Sequence, residues 1–170
     1  MKGAGPAGHD PLPKYDGAAA ARRYSEAWAK AASCVAVPHE PGSPLHQPPH
    51  LGPVSIVDDD PFVRAATSSL VRSFGWEVQV FASAAAFLDS DALYLTRCLV
   101  CDIEMPQIDG IELLDRLNQA GSRVPALFIT AHATERVRER ALAAGALCVI
   151  EKPIDALELE KWITRALGRE

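Results

Sequence analysis

Six side chains in this sequence could, if they met, hold a hard cation and stabilise charge on a phosphoryl or carboxylate oxygen. They are Asp58, Asp59, Asp60, Asp102, Thr130 and Lys152. Each lies just past a short apolar run: Val54–Val57, Cys98–Cys101, Ala126–Ile129 and Leu147–Ile150. Carboxylates crowded at one spot repel strongly unless a cation neutralises them. Oxygen donors without soft ligands favour Mg²⁺ or a similar ion. A lysine beside them supplies a point charge suited to an anionic oxygen, and the small Ala131 leaves room next to Asp102. Taken singly, each residue has an ordinary explanation. Acidic runs after strands are commonly helix caps or solvated loops, and strand-end threonines commonly bond to backbone. Their shared position at the ends of successive strands is what points to a site.

The elements that would position them alternate between strand and helix. Pro53–Val57 reads as a strand. Asp60-Pro61 then reads as an N-cap with proline at the first helical position, followed by an apolar stripe of Phe62, Ala66 and Leu70 that stops at Gly75. Glu77–Phe81 is a second strand, and Ser83 opens a short helix carrying Phe87 and Leu88. Cys98–Cys101 is the third strand, followed by a helix from Gly110 with Ile111, Leu114 and Leu117 inward. Ala126–Ile129 is the fourth strand and Thr134–Ala144 a charged helix. Leu147–Ile150 is the fifth strand. Asp155 with Glu158 resembles a capping box for a last helix striped by Leu159, Trp162, Ile163, Ala166 and Leu167. Five βα repeats predict a doubly wound, flavodoxin-like (βα)5 α/β fold. Its parallel sheet would be covered on both faces, with expected strand order 2-1-3-4-5. In such sheets the ligand site lies beyond the carboxyl ends of the strands, where the four motifs fall.

Residues 1–51 read differently. Eight of the thirteen prolines and five of the eleven glycines fall before Leu51. Such a segment is too poor in apolar surface to offset its ordering entropy, so a disordered leader is expected, with a short helix over 18–37. Residues 52–170 form the expected domain. Up to His50 the chain has five Lys/Arg against four Asp/Glu; from Leu51 it has twelve against eighteen. An acidic domain argues against direct nucleic-acid binding, which needs clustered cations. No apolar run is long enough to span a membrane, and there is no secretory signal pattern, so a cytoplasmic protein is expected. Cys98 and Cys101 form a CxxC, but on a strand residues three apart face opposite sides, so both read as buried structural thiols.

Four segments together resemble the receiver domain of two-component response regulators: Ile56–Pro61, Val100–Gly110, Phe128–His132 and Val149–Pro153. The last two look most like the nitrogen-fixation, LuxR-type regulator branch. The resemblance implies that Asp102 accepts a phosphoryl group from the phosphohistidine of a histidine kinase or phosphotransfer protein. It implies Mg²⁺ held by Asp58, Asp59, Asp102 and the backbone carbonyl of Glu104, and Thr130 and Lys152 meeting phosphoryl oxygens. It also implies a cis Lys152–Pro153 bond and output through the face of the fourth helix, fifth strand and fifth helix, toward a downstream protein or another receiver. On this reading the domain is a signalling module and not a turnover enzyme.

Two residues depart from the pattern. Val149 stands where the family often has Tyr or Phe, and Glu104 puts a charge two residues past Asp102. Two other readings remain in view: a receiver-fold interaction domain that does not use phosphate, and a phosphatase of the haloacid-dehalogenase type with Asp58 and Asp60 as nucleophile and acid. The chain ends at Glu170 with no helix-turn-helix after Leu167, so either a stand-alone receiver or a piece stopping before a DNA-binding domain is expected.

Overall fold

The computed structural model describes residues 52–168. The leader and its helix over 18–37 lie outside the described residues. Five strands form one parallel sheet in the order β2-β1-β3-β4-β5, as expected. They are β1 (Val54–Val57), β2 (Val78–Phe81), β3 (Cys98–Asp102), β4 (Ala126–Thr130) and β5 (Cys148–Glu151). The helices are α1 (Pro61–Ser73), α2 (Ala84–Leu88), α3 (Ala92–Leu95), α4 (Gly110–Gln119), α5 (Glu135–Ala143) and α6 (Ala156–Ala166). The one-turn α3 has no counterpart among the expected elements, so the helices counted fourth and fifth from the sequence are α5 and α6.

Strand side chains alternate between two cores. Val57, Leu99, Cys101, Phe128 and Val149 pack with Phe87, Leu113 and Leu117 under α2 to α5. Val54, Ile56, Val100, Leu127, Ile129 and Ile150 pack with Val71, Leu159 and Ile163 of α1 and α6. Burial on both sides explains why these strands read as unbroken apolar runs. Cys98 falls in the second core and Cys101 in the first, so the CxxC is split across the sheet.

Five helix starts are fixed by side chains that accept otherwise unpaired N–H groups: Asp60, Ser83, Asp109, Thr134 and Asp155. Gly75, Gly121 and Gly145 adopt positive φ just after α1, α4 and α5, where a side chain would be strained.

The stripe expected on α1 is corrected by the structure. Phe62 is 83% exposed and Ala66 is also exposed, whereas Thr67, Ser68 and Val71 are buried. The inward face runs through Val71 and the partly buried Leu70 and Phe74, which pack on the second core. Thr67 interrupts that stripe with a polar residue and hides it from a reading based on apolar spacing.

Burial pushes the thiols of Cys98 and Cys148 up to about 12, and that of Cys101 well above its ordinary value. A thiol that stays protonated and covered is a poor nucleophile. In a Cys34→Ser variant, native protein should therefore release no colour from a thiol-specific disulfide reagent. All three remaining thiols should react once denaturant is added; rapid reaction in the native state would contradict the buried assignment.

Candidate functional site

The strand ends deliver the acids by register. Val57 pairs with Cys101, so Asp58 and Asp102 follow side by side on adjacent strands. Ile129 pairs with Asp102, which puts Thr130 one step past it on the other flank. Thr130 in turn pairs with Glu151, and Lys152 comes next. Carboxylate oxygens of Asp58, Asp59 and Asp102 all lie within 4.8 Å of one another. Asp58 and Asp102 are buried and Asp59 is exposed. The ammonium of Lys152 sits 3.3 Å from Asp58 Oδ2 and 3.3 Å from Asp102 Oδ1.

The individual oxygens are not equivalent. Asp58 Oδ1 accepts the N–H of Asp60 at 2.8 Å, and its Oδ2 accepts from Lys152, so both of its oxygens are engaged. Asp60 accepts from the N–H groups of Phe62 and Val63 and is committed to capping α1. That commitment speaks against Asp60 as a catalytic acid. Asp102 Oδ1 is buried and, although close to Lys152, has no donor aligned for a hydrogen bond. Burial pushes the Asp102 carboxyl above its usual range; Lys152 pulls it back, and Asp58 and Asp59 push it up again. Burial pulls the Lys152 ammonium down, but the charges of Asp102 and Asp58 outweigh it, and its pKa is raised. Three carboxylates against one ammonium leave two negative charges in excess, and the donors are all oxygens. The residues present therefore fit a divalent hard cation.

Thr130 is fully buried, and its hydroxyl accepts the N–H of His132 at 3.1 Å. The N–H of Lys152 donates to the carbonyl of Thr130 at 2.9 Å, tying the last two motifs together. The Lys152–Pro153 peptide is cis, as the resemblance implies. Glu104 is exposed, two residues past Asp102.

Three neighbours were given no part in the site from sequence. Arg64 donates to the backbone carbonyl of Asp58 at 2.6 Å and steadies the turn that aims the first two acids. Its signal was a basic residue in the second turn of a helix that starts at the acidic run. Gly110 lies where a Cβ would collide with the carbonyl oxygen of Asp102 and come within 3.0 Å of Phe128 Cε1. Gln107, in the loop between Asp102 and α4, is held at φ 70°.

A doubly wound sheet that gathers acids at its carboxyl edge is a switch-point domain of the flavodoxin type. Residues 54–164 match the response regulator receiver domain, and the chain belongs to that family, the receivers of two-component signalling systems. It is 38% identical over 114 residues to the response regulator protein TmoT of Ectopseudomonas mendocina, covering 67% of this chain and 52% of that one. It is 37% identical over 117 residues to the transcriptional regulatory protein FixJ of Azorhizobium caulinodans, covering 69% and 56%. These relatives agree with the branch suggested by the motifs. The chain spans about half the length of the curated relatives it matches. The crystal structure of FixJ-N superposes with a TM-score of 0.64 at 32% identity, covering 70% of this chain and 95% of that one. A response regulator from Chloroflexus aurantiacus gives 0.64 at 30% identity, covering 69% and 98%. No helix among the described residues is long and apolar enough to cross a membrane.

Gly110 provides a direct test of how tightly the end of β3 is held. Gly110→Ala forces a methyl group against the Asp102 backbone, and overpacking of this kind costs about 1–3 kcal/mol. Denaturant unfolding should show a lower midpoint with an unchanged slope. A midpoint equal to that of the parent would mean that α4 and β3 separate easily at this point.

Proposed function

We propose that the domain accepts a phosphoryl group on Asp102 from a phosphohistidine of a histidine kinase or phosphotransfer protein. The observation that carries this reading is the meeting of Asp58, Asp59 and Asp102 within 4.8 Å, with Lys152 beside two of them. An Asp102 carboxylate oxygen attacks phosphorus in line. The new O–P bond forms as the P–N bond breaks, and the imidazole, already protonated on its other ring nitrogen, takes the electron pair and leaves as the donor's neutral side chain. Such transfers depend mainly on positioning and charge stabilisation. Mg²⁺ held by Asp58, Asp59, Asp102 and the carbonyl of Glu104 would offset the charge of the acids and the phosphoryl oxygens. Asp59, the exposed acid, is the one most open to such an ion. Lys152 meets one phosphoryl oxygen, and the Thr130 hydroxyl, which already accepts from His132, has its own proton to donate to another.

The product is an acyl phosphate, a larger anion than the carboxylate it replaces. Its pull on Thr130 shifts the β4–α5 loop and alters the α5–β5–α6 face. Exposed Leu142, Leu147 and Leu157 give that face apolar contact points for a downstream protein or a second receiver. The module acts in the cytoplasm as a recipient in a phosphorelay and turns over no substrate of its own. Its net-negative domain makes no direct contact with nucleic acid.

Incubated with a small-molecule phosphodonor and Mg²⁺, the protein should gain the mass of one phosphoryl group, lost again on mild alkaline treatment. Asp102→Asn should gain none, and chelation should abolish the gain. A label mapping to Asp58 would instead support the phosphatase reading, and no label at all the phosphate-independent one.

Metal binding can be read separately. A cation that binds only the native state raises its stability, by about 1.4 kcal/mol at tenfold excess over the dissociation constant. Thermal unfolding should move up with Mg²⁺ for the parent and much less for Asp59→Asn. Without metal, Asp59→Asn should unfold later than the parent, because one repelling charge is gone. Equal Mg²⁺ shifts in both proteins would remove Asp59 from the ligand set.

A further inference from the structure

We infer that Arg138 is a positioning residue that clasps the β4–α5 loop to β5 and sets how readily the domain leaves the arrangement seen here. Its guanidinium makes three contacts on two elements. Nη1 donates to the carbonyl of Val149 at 2.8 Å, and Nε donates to the carbonyl of Ala133 at 3.3 Å. Nη2 lies 3.8 Å from Glu151 Oε2. The guanidinium is planar, with its donors in a fixed fork. Two carbonyls held by one rigid plane are held relative to each other.

The placement of those carbonyls gives the clasp its meaning. Ala133 lies three residues past Thr130, and Val149 three residues before Lys152. These are the two side chains that the proposed function assigns to phosphoryl oxygens, so the inference rests on that reading. A displacement of Thr130 toward the acids is passed along three residues to Ala133. The carbonyl of Ala133 then moves relative to β5, and one plane can no longer serve both acceptors.

Apart from the Thr134 cap and the partly buried Ala133 and Val137 on the first core, little else holds this end of α5. Of its nine residues only Ala141 is buried. At the far end, Asn118 Nδ2 donates to the carbonyl of Ala144 at 2.8 Å, tying α5 to the end of α4. The helix is thus pinned by polar contacts near both ends, and the pin nearest the site is Arg138. The Glu151 contact is long and exposed, and such pairs contribute little. The two carbonyl bonds carry the clasp.

The test compares the parent with Arg138→Ala, Arg138→Lys and Glu151→Gln, using amide hydrogen exchange and titration with beryllofluoride plus Mg²⁺. In the free protein, Arg138→Ala and Arg138→Lys should speed exchange at residues 131–137 and 148–151, and Glu151→Gln should not. Beryllofluoride affinity should rise about threefold or more in both arginine variants, within the range of single-residue effects on coupling. A lysine places one ammonium and cannot span both carbonyls, so recovery of parental behaviour by Arg138→Lys would overturn the clasp. So would unchanged exchange in the free protein. A lowered melting temperature with unchanged beryllofluoride affinity would reduce Arg138 to a structural role and overturn the coupling. Failure of the parent to bind beryllofluoride would count against the phosphoacceptor reading instead, while the exchange comparison would still decide whether the clasp exists.

Discussion

The structure depends on one electrostatic constraint: three carboxylates share a space in which they cannot all be comfortable. Asp58 and Asp102 are buried side by side, Asp59 stands at the mouth, and one ammonium serves the two buried acids. Like charges in a poorly solvated setting oppose folding. The surroundings must therefore hold the acids together against their repulsion, and they do so with backbone. Asp58 is fixed by an N–H on one of its oxygens and by Arg64 on its carbonyl. Asp102 is fixed by its place as the last residue of a fully buried central strand, with Gly110 packed against its carbonyl.

A parallel sheet suits this task because its register converts sequence position into spatial position. Once Val57 pairs with Cys101 and Asp102 with Ile129, the residues that follow have little freedom over which neighbours they meet. The helices contribute by starting promptly. Asp60 caps α1 three residues past the end of β1, so the acidic loop is short and its side chains are kept at the rim. The same economy explains the division of labour within the run Asp58–Asp60. One acid is locked by hydrogen bonds, one is left open, and one is used as a cap.

Much of this was legible before any coordinates. Most strands showed as apolar runs, the caps of α1 and α6 as Asp60 and Asp155, and the site as polar residues at successive strand ends. These signals are local, and each is read from fewer than about ten residues. The readings that failed needed tertiary context. The inward face of α1 passes through Thr67, so apolar spacing chose Phe62 and Ala66 instead, which the sheet does not cover. The short α3 follows Asp91, which makes no side-chain cap, and its four residues are too few for periodicity to show. Arg138 looked like one more charge on an exposed helical face. Its partners lie on a loop and a strand, and only the packing of α5 against β5 brings their carbonyls within reach.

The guanidinium of Arg138 has a second consequence, for self-association. β5 is an edge strand, and an edge offers backbone groups to which another chain can add a strand. By occupying the carbonyl of Val149, Arg138 covers part of that template with a bulky cation. The opposite edge, β2, is half-exposed and, like β5, only four residues long. Brevity thus limits both margins of the sheet, and at β5 a cation is added to it. Intermolecular strand pairing, were it to begin, would meet a short partner on either side and, at β5, a charge as well.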